Sequence, residues 1–287
     1  MASFQIFSSK QNFNGTETLP GQSRRGFKWL PILLFIGYGV YYYYSSLDTV
    51  PITGRSHLVG MSVDEEMALG VNSYRTIVQE EEIIPDGKAA DSIKSAGKRI
   101  AAVTENATFD WEFNLIKSNE MNAFCLPGGK VAIYSGILPV ADNENGLAVI
   151  MSHEISHAIA RHGAERMAHE RLFQFGQIAL SMSTSEMDND KRRMVMGAFG
   201  LGAQYGLILP YSREHESEAD YMGLIFMSKA CFDPTEAPKV WERMVKMNDG
   251  KKPPEFMSTH PSDETRIEQF QKWMPEALDI YKNCKKS

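Results

Sequence analysis

The stretch NGLAVIMSHEISHAIA, residues 145–160, decides the fold of the second half of this chain. It is strongly apolar and has no glycine or proline after Gly146, so it predicts a buried helix. Its central residues, His153-Glu154-Ile155-Ser156-His157, form an H-E-x-x-H motif. Two histidines and a glutamate buried without a function would carry a large desolvation cost, so this helix is predicted to hold a functional site.

The spacing of the two histidines indicates a metal site. Four residues advance a helix by about 400°, so both imidazoles project from one face, one turn apart. Two adjacent zinc ligands require this arrangement, and Glu154 stands where it can act as a general base. We therefore predict one Zn²⁺ per subunit, held by His153, His157 and a third ligand from another segment.

His162 is a poor third ligand. It follows His157 by five residues, which on a continuous helix places it about 140° round from that ligand. We expect His162 to be a hydrogen-bonded surface or supporting residue instead.

The better third ligand lies in the segment SREHESEAD, residues 212–220. Glu216 and Asp220 are four residues apart and share one helical face, which Glu214 and Glu218 do not share with them. We predict that Glu216 ligates the metal and that Asp220 accepts the free N–H of a ligand histidine. An acidic, solvated helix face is the alternative.

These segments together resemble metallopeptidase family 48, a family of gluzincins, and in particular its OMA-like single-span branch. The resemblance rests on separated motifs that occur in the family's order. They are the H-E-x-x-H helix with Arg161-His162 and Glu165-Arg166, residues 212–220, Val50-Pro51-Ile52-Thr53-Gly54-Arg55, Asn122-Ala123-Phe124, Pro127-Gly128-Gly129, Tyr134-Ser135-Gly136, and Ser258-Thr259-His260-Pro261 with Arg266.

The resemblance implies a zinc-dependent metalloendopeptidase that hydrolyses misfolded or regulated membrane and envelope proteins. It implies that His260, braced by Arg266, stabilises the oxyanion. Two alternatives for His260 stay open: a helix cap, or a fourth metal ligand that makes the site latent. The resemblance also implies that a substrate polypeptide adds as a strand to an exposed sheet edge. The substrate-binding residues would be Asn122, Ala123, Lys130, Val131, Ala132, Ile133 and Tyr134.

Periodicity predicts an α+β fold, mostly helical and zincin-like, with one small sheet. A capping box at Ser62 and Glu65 opens a helix that runs to about residue 82. Strands are predicted at 111–117, 121–126 and 130–134, and the domain covers residues 61–287. The other helices are predicted at 89–103, 144–163, 165–184, 190–208, 213–229, 234–247 and 262–282.

A membrane anchor is predicted near the N-terminus. Residues 29–47, WLPILLFIGYGVYYYYSSL, contain no charge and as a helix would cover roughly 28 Å, enough for a hydrocarbon core. Basic residues precede the segment, so residues 1–28 are expected in the cytoplasm, with residues 48–60 a linker beyond the bilayer. A cleaved signal is the alternative. The apolar stretch 194–210 is interpreted as a buried or membrane-touching helix.

This topology places the domain in the bacterial periplasm, attached to the inner membrane. The alternative location is the mitochondrial inner membrane, with the domain facing the intermembrane space. The expected partners are polypeptides and the bilayer, and an oligomer is left open.

Composition excludes other functional classes. The net charge of −6 and the lack of a basic cluster interleaved with aromatics argue against a nucleic-acid partner. The three cysteines form no C-x-x-C pair, which argues against a cysteine zinc site. Cys125 is expected to be a half-buried thiol rather than a nucleophile, because a free cysteine usually behaves as a small hydrophobic residue. Whether Cys231 and Cys284 form a disulfide depends on the redox compartment.

A weakly proteolytic, chaperone-like factor is the alternative function.

Overall fold

The computed structural model describes residues 26–104, 108–204, 209–247, 255–260 and 265–285. The predictions for residues 1–25, for residues 205–208 of the apolar stretch and for Pro261 lie outside these ranges. The helices are α1 (Leu30–Ser45), α2 (Val63–Glu80), α3 (Lys88–Val103), α4 (Leu138–Ala141), α5 (Glu144–Ile159), α6 (His162–Ser183), α7 (Asn189–Ala203), α8 (Leu209–Lys229), α9 (Ala237–Met247), α10 (Glu255–Thr259) and α11 (Thr265–Cys284). The strands are β1 (Leu47–Thr49), β2 (Ser56–Leu58), β3 (Ile83–Ile84), β4 (Glu112–Ile116), β5 (Ala123–Leu126) and β6 (Lys130–Tyr134).

The main sheet has the strand order β3-β4-β6-β5. Strand β6 lies in its interior, parallel to β4 and antiparallel to β5. The turn between β5 and β6 uses Gly128 and Gly129 at φ 87° and 82°, a left-handed conformation that glycine adopts without strain. The predicted α+β, mostly helical fold is confirmed, as are all three predicted strands, whereas β3 was not predicted.

A second, two-stranded sheet was not predicted. Strands β1 and β2 pair antiparallel from Leu47, the last residue of the predicted anchor, through the segment 48–60, which was predicted to be a linker. Val50 N donates to Arg55 O at 2.8 Å and closes the hairpin loop. Strands of three residues give too short an alternation to detect in the sequence, so the hairpin carried no periodic signal.

The predicted capping box at the start of α2 is confirmed. The Ser62 side chain accepts a hydrogen bond from Glu65 N at 3.3 Å, and the Glu65 carboxylate accepts one from Ser62 N at 2.9 Å. These two bonds satisfy amide groups that have no partner inside the first turn of a helix.

Helix α5 is the centre of the domain, and it packs against α3, α8 and β5. Ile150, Met151 and Ile155 are fully or almost fully buried. Helix α8 approaches α5 closely at Gly223, where an added Cβ would lie 3.1 Å from His153 N. This close approach brings the acidic residues of α8 to the histidines of α5.

The predicted membrane span is not confirmed. Within the described residues, no helix combines the length and the apolar composition needed to cross a bilayer. Helix α1 has 16 residues and packs on α6, and Leu30, Leu33 and Leu34 are each at least 60% exposed. In the second apolar stretch, α7 ends at Ala203, its only buried residue, and Met194 is 74% exposed.

The cysteine pairing left open by the sequence is present. A disulfide joins Cys231, just after α8, to Cys284 at the end of α11, with the two Cα atoms 5.7 Å apart. This link fastens the last helix to the helix that carries Glu216.

Candidate metal centre

Four side chains converge between α5, α8 and α10, and they include all three predicted metal ligands. One donor atom from each lies within 4.8 Å of the other three: His153, His157, Glu216 and His260. His153 Nε2 is 3.2 Å from His157 Nε2 and 3.4 Å from Glu216 Oε2. His157 Nε2 is 3.5 Å from Glu216 Oε1. The three side chains therefore point to a common centre, as their positions along the two helices predicted.

These separations fit a tetrahedrally coordinated zinc ion. Zinc binds imidazole nitrogen and carboxylate oxygen at about 2.0–2.2 Å, so two ligands of a tetrahedral ion lie roughly 3.3–3.6 Å apart. The three protein donors are separated by 3.2, 3.4 and 3.5 Å. Two neutral imidazoles that point nitrogen lone pairs at each other repel, and a cation between them removes that repulsion.

His153 is held from behind by a buried carboxylate. Its Nδ1 donates to Asp220 Oδ1 at 3.0 Å, as predicted, which leaves Nε2 free to bind a metal. Arg266 Nη2 donates to the same carboxylate oxygen at 2.7 Å, and its guanidinium stacks 3.4 Å from the Trp241 ring. Arg266 was expected to brace His260, but its hydrogen bonds go instead to Asp220 and Glu216.

Glu154 lies in the position that a general base requires. Its side chain is buried, and among the described residues its Oε1 has no hydrogen-bond partner. Burial raises the pKa of Glu154, because a desolvated carboxylate is harder to ionise. A buried proton acceptor of raised basicity therefore stands at the wall of a cavity, beside the candidate metal ligands.

The protonation states of the ligands follow from burial and from neighbouring charges. Burial lowers the pKa of His157 well below its usual value, which favours the neutral form that binds metals. For His153 burial acts in the same direction, but hydrogen bonds to Asp220 and Glu216 outweigh it and raise the pKa to about 9. Burial also opposes ionisation of Glu216, yet the nearby His157 and His153 hold its pKa below the usual range.

His260 is closer to the metal ligands than a helix-capping role requires. Its Nδ1 lies 3.0 Å from Glu216 Oε1 and 3.2 Å from His153 Nε2, and its Nε2 lies 3.5 Å from Glu154 Oε1. These distances are compatible with two of the roles considered above, oxyanion stabilisation and a fourth metal ligand.

A cavity of about 430 Å³ opens beside Glu154 and His157, within the size range of ligand sites. One wall is the segment 122–127, which includes the predicted residues Asn122 and Ala123. Residues of α6, among them Arg166 and Glu170, also line the cavity. His157 and Glu216 therefore line a cavity rather than a closed core.

The predicted substrate strand is wrong in one respect. Lys130, Val131, Ala132, Ile133 and Tyr134 form β6, which pairs with β4 on one side and β5 on the other and is entirely buried. The two edge strands of the main sheet are β3 and β5, and of these β5 lines the cavity. The sequence gives strand positions but not strand order, so it could not reveal which strand lies at the edge.

The hydrogen-bond register shows which backbone groups of β5 face the cavity. Tyr134 N donates to Asn122 O at 3.0 Å. In antiparallel pairs bonded and non-bonded residues alternate, so Phe124 also bonds to β6, whereas the N–H and C=O of Cys125 point away from it. Burial raises the pKa of the Cys125 thiol well above its usual value, in agreement with the predicted unreactive thiol.

Sequence reasoning missed a second polar cluster behind His157. His162, Glu165, His215 and Glu218 are all buried, and the Arg55 guanidinium lies between the two glutamates. Most of these residues fall within motifs that carry the family resemblance, but a motif does not reveal its contacts. From its position along the helix, Glu218 was predicted to lie on a different face from Glu216 and Asp220, so no role was expected for it.

The site and fold define a metalloendopeptidase: an H-E-x-x-H helix, a glutamate ligand from a second helix and a small sheet beside the cleft. Comparison with known families specifies it further. The chain belongs to peptidase family M48, whose model matches residues 88–274. The predicted family is therefore confirmed.

Relatives of this chain occur in mitochondria and in bacteria. The mitochondrial metalloendopeptidase OMA1 of Schizosaccharomyces pombe is 36% identical over 262 residues, which covers 90% of this chain and 75% of that protein. Human OMA1 is 29% identical over 279 residues, covering 90% and 52%. The beta-barrel assembly-enhancing protease of Escherichia coli is 30% identical over 230 residues, covering 77% and 46%. The chain thus spans about half the length of the human and bacterial relatives.

The geometry predicts that Glu216→Ala weakens zinc binding by more than the 10- to 100-fold typical of changes behind a ligand, because it removes a direct donor. Zinc affinity of the purified full chain can be measured by competition with a chelating indicator. Glu214→Ala is the matched control, since Glu214 is exposed on the same helix. Equal affinities for the two variants would contradict the ligand assignment.

Proposed function

We propose that this protein is a zinc-dependent endopeptidase in which His153, His157 and Glu216 hold one zinc ion per subunit. The observation that carries the proposal is the set of donor separations, 3.2 to 3.5 Å, among the nitrogens and the carboxylate of these three residues. A buried set of donors with these separations suits a tetrahedral cation better than it suits hydrogen bonding.

A bound zinc ion would supply Lewis-acid chemistry, polarising a peptide carbonyl and making water acidic enough to lose a proton near neutral pH. Glu154 would take that proton on its free carboxylate oxygen and return it to the leaving amide nitrogen. Asp220 and Arg266 keep the His153 ring in one orientation during turnover, because the Nδ1 hydrogen bond prevents the ring from flipping.

His260 would have two states. In the structure, His260 Nδ1 is in contact with Glu216 Oε1 and His153 Nε2. A nitrogen at this position could act as a fourth metal donor, and the site would then be latent. During the reaction His260 Nε2, on the side of Glu154, would donate to the developing oxyanion.

The substrate would bind as an extended strand along β5, in place of the predicted β6. Residues 122–127 line the cavity, and backbone groups of Cys125 point away from β6 toward the free edge. Strand addition recognises the peptide backbone, so it suits unfolded segments of varied sequence.

We also propose that α1 attaches the domain to a membrane and that its substrates are misfolded or regulated membrane proteins. In support, residues 29–47 carry no charge, and the leucines of α1 are exposed rather than packed. The bacterial inner membrane was the first expectation. The fungal relatives at 36% and 35% identity are mitochondrial by name, and we therefore favour the mitochondrial inner membrane, with the domain in the intermembrane space.

The central test is proteolysis by the full chain. Wild type should hydrolyse casein, a metal chelator should abolish the activity, and added zinc should restore it. Glu154→Gln should retain zinc but lose at least about 100-fold in rate, because the ligands persist and the base is lost.

Hydrolysis by Glu154→Gln within tenfold of wild type would refute the role of Glu154. A wild type that binds casein without cleaving it would favour the chaperone-like alternative. The same assay separates the roles of His260. A faster His260→Ala variant indicates a latent site, and a slower one indicates oxyanion stabilisation.

Substrate binding along β5 predicts a local change in hydrogen exchange. When unfolded casein binds the inactive Glu154→Gln variant, amides in residues 122–127 should exchange more slowly. Residues 130–134 should not change, because β6 already pairs on both sides. Protection that avoids residues 122–127 would contradict this binding mode.

Membrane attachment through α1 predicts resistance to carbonate extraction. The full chain should stay in the membrane pellet, and the double substitution Leu33→Arg with Leu34→Arg should release it, since each buried charge costs about 2.5–3.5 kcal/mol. Val245→Arg is the control, because Val245 is 51% exposed on α9, outside the proposed anchor. Release of wild type by carbonate would contradict the anchor.

A further inference from the structure

The ring of His157 makes contacts on both of its nitrogens. Nε2 faces the metal donors, 3.2 Å from His153 Nε2, and Nδ1 lies 2.8 Å from His162 Nδ1. A metal-binding Nε2 keeps its lone pair, so the ring proton resides on Nδ1 and is donated to His162. His162 therefore accepts at Nδ1 and carries its own proton on Nε2.

The proton on His162 Nε2 is donated to a buried carboxylate. Glu218 Oε2 is 3.0 Å from that nitrogen, and His162 and Glu218 are 4% and 8% exposed. The His162 ring also stacks on His215 with the ring centres 4.2 Å apart, which fixes its plane. By accepting the hydrogen bond from Nε2, Glu218 fixes the tautomer and orientation of His162, and through His162 those of His157.

Glu218 is in turn held by the β1–β2 hairpin. Arg55 Nε donates to Glu218 Oε2 at 2.8 Å, and the Thr53 hydroxyl donates to the other oxygen. The two remaining Arg55 nitrogens bond to Glu165 at 2.9 and 2.8 Å. Burial alone would raise the pKa of Glu218, but the bonds from His162, Arg55 and Thr53 hold it at about 2.

The contact between His157 and His162 depends on a break in the helix. On a continuous helix, five residues would separate the two rings by about 140°. Helix α5 ends at Ile159, and Arg161 adopts a left-handed conformation at φ 57° before α6 begins at His162. This turn brings His162 back against His157, and it is stabilised by the Arg161 side chain, which bonds to Glu66 and Asp48.

Each of the two candidate histidine ligands is therefore connected by hydrogen bonds to a carboxylate, and that carboxylate is bonded to an arginine. His153 reaches Asp220 and Arg266 directly. His157 reaches Glu218 and Arg55 through one additional imidazole.

We infer that His162 and Glu218 are positioning residues for the metal ligand His157, and that Arg55 makes the β1–β2 hairpin part of the metal centre. This inference rests on the metal centre proposed above and deepens it. Removal of the Glu218 charge leaves every direct donor in place but frees the His157 ring to rotate and to exchange tautomers.

The test compares Glu218→Gln with Glu214→Gln in the full chain, because both glutamates lie on α8 but only Glu218 contacts His162. Glu218→Gln should raise the zinc dissociation constant about 10- to 100-fold, as expected for a group behind a metal ligand. Glu214→Gln should stay within about twofold of wild type. In the Co²⁺-substituted protein, the visible absorption bands should change in Glu218→Gln and not in Glu214→Gln.

A purely structural role for Glu218 gives a different pattern. It would lower the unfolding temperature equally with and without zinc and leave the dissociation constant and the Co²⁺ bands unchanged, which would overturn the inference. If Glu218→Gln does not fold, His162→Ala replaces it, with the same expected weakening and the same overturning result. Failure of the proposed function is distinguishable, because wild type would then bind zinc without hydrolysing casein.

Discussion

Two imidazole nitrogens and a carboxylate oxygen face one another at 3.2 to 3.5 Å in the interface between α5 and α8. In the neutral form that binds a metal, the two imidazoles gain little from the carboxylate at these distances, and burial deprives all three groups of water. The arrangement persists only because each ring is held from its far side. Ile150, Met151 and Ile155 of α5 are buried in the core and fix the backbone from which the two rings project. The packing of the domain thus keeps these three donor groups in a fixed orientation.

The supports come from opposite ends of the chain. Arg266, on the last helix, fixes Asp220 behind His153, and Arg55, on the first hairpin, fixes Glu218 behind His162. Long-range pairs of this kind form only when the whole domain is assembled, so the donor set is complete only in the folded protein. Breaking one buried pair would leave an uncompensated charge, which usually costs more than the pair contributes. The two arginines therefore connect metal binding to the stability of both ends of the domain.

Local periodicity was sufficient for the longer helices, three strands and the candidate donors, because one turn of helix fixes which side chains share a face. The short helices α4 and α10 were not predicted. His153, His157, Glu216 and the role of Asp220 could all be predicted in this way. The errors concern contacts that phase does not determine. The left-handed residue Arg161 breaks the helix, so the angle calculated for His162 did not apply. Strand order placed β5 rather than β6 at the edge, and the β1–β2 hairpin was too short to detect. Each of these depends on pairing between distant segments.

The hairpin also connects α1 to the metal centre. Val59 N donates to Ser46 O at 2.7 Å at the end of α1, and Asp48 accepts from Arg161 at 2.7 Å. Arg161 is the residue at which the chain turns between His157 and His162, so the start of the hairpin touches the same turn that Arg55 supports through Glu218. A displacement of α1 relative to α5 would strain both contacts together, because packed interiors transmit small shifts rather than absorb them. The orientation of the His157 ring is therefore coupled to the position of α1.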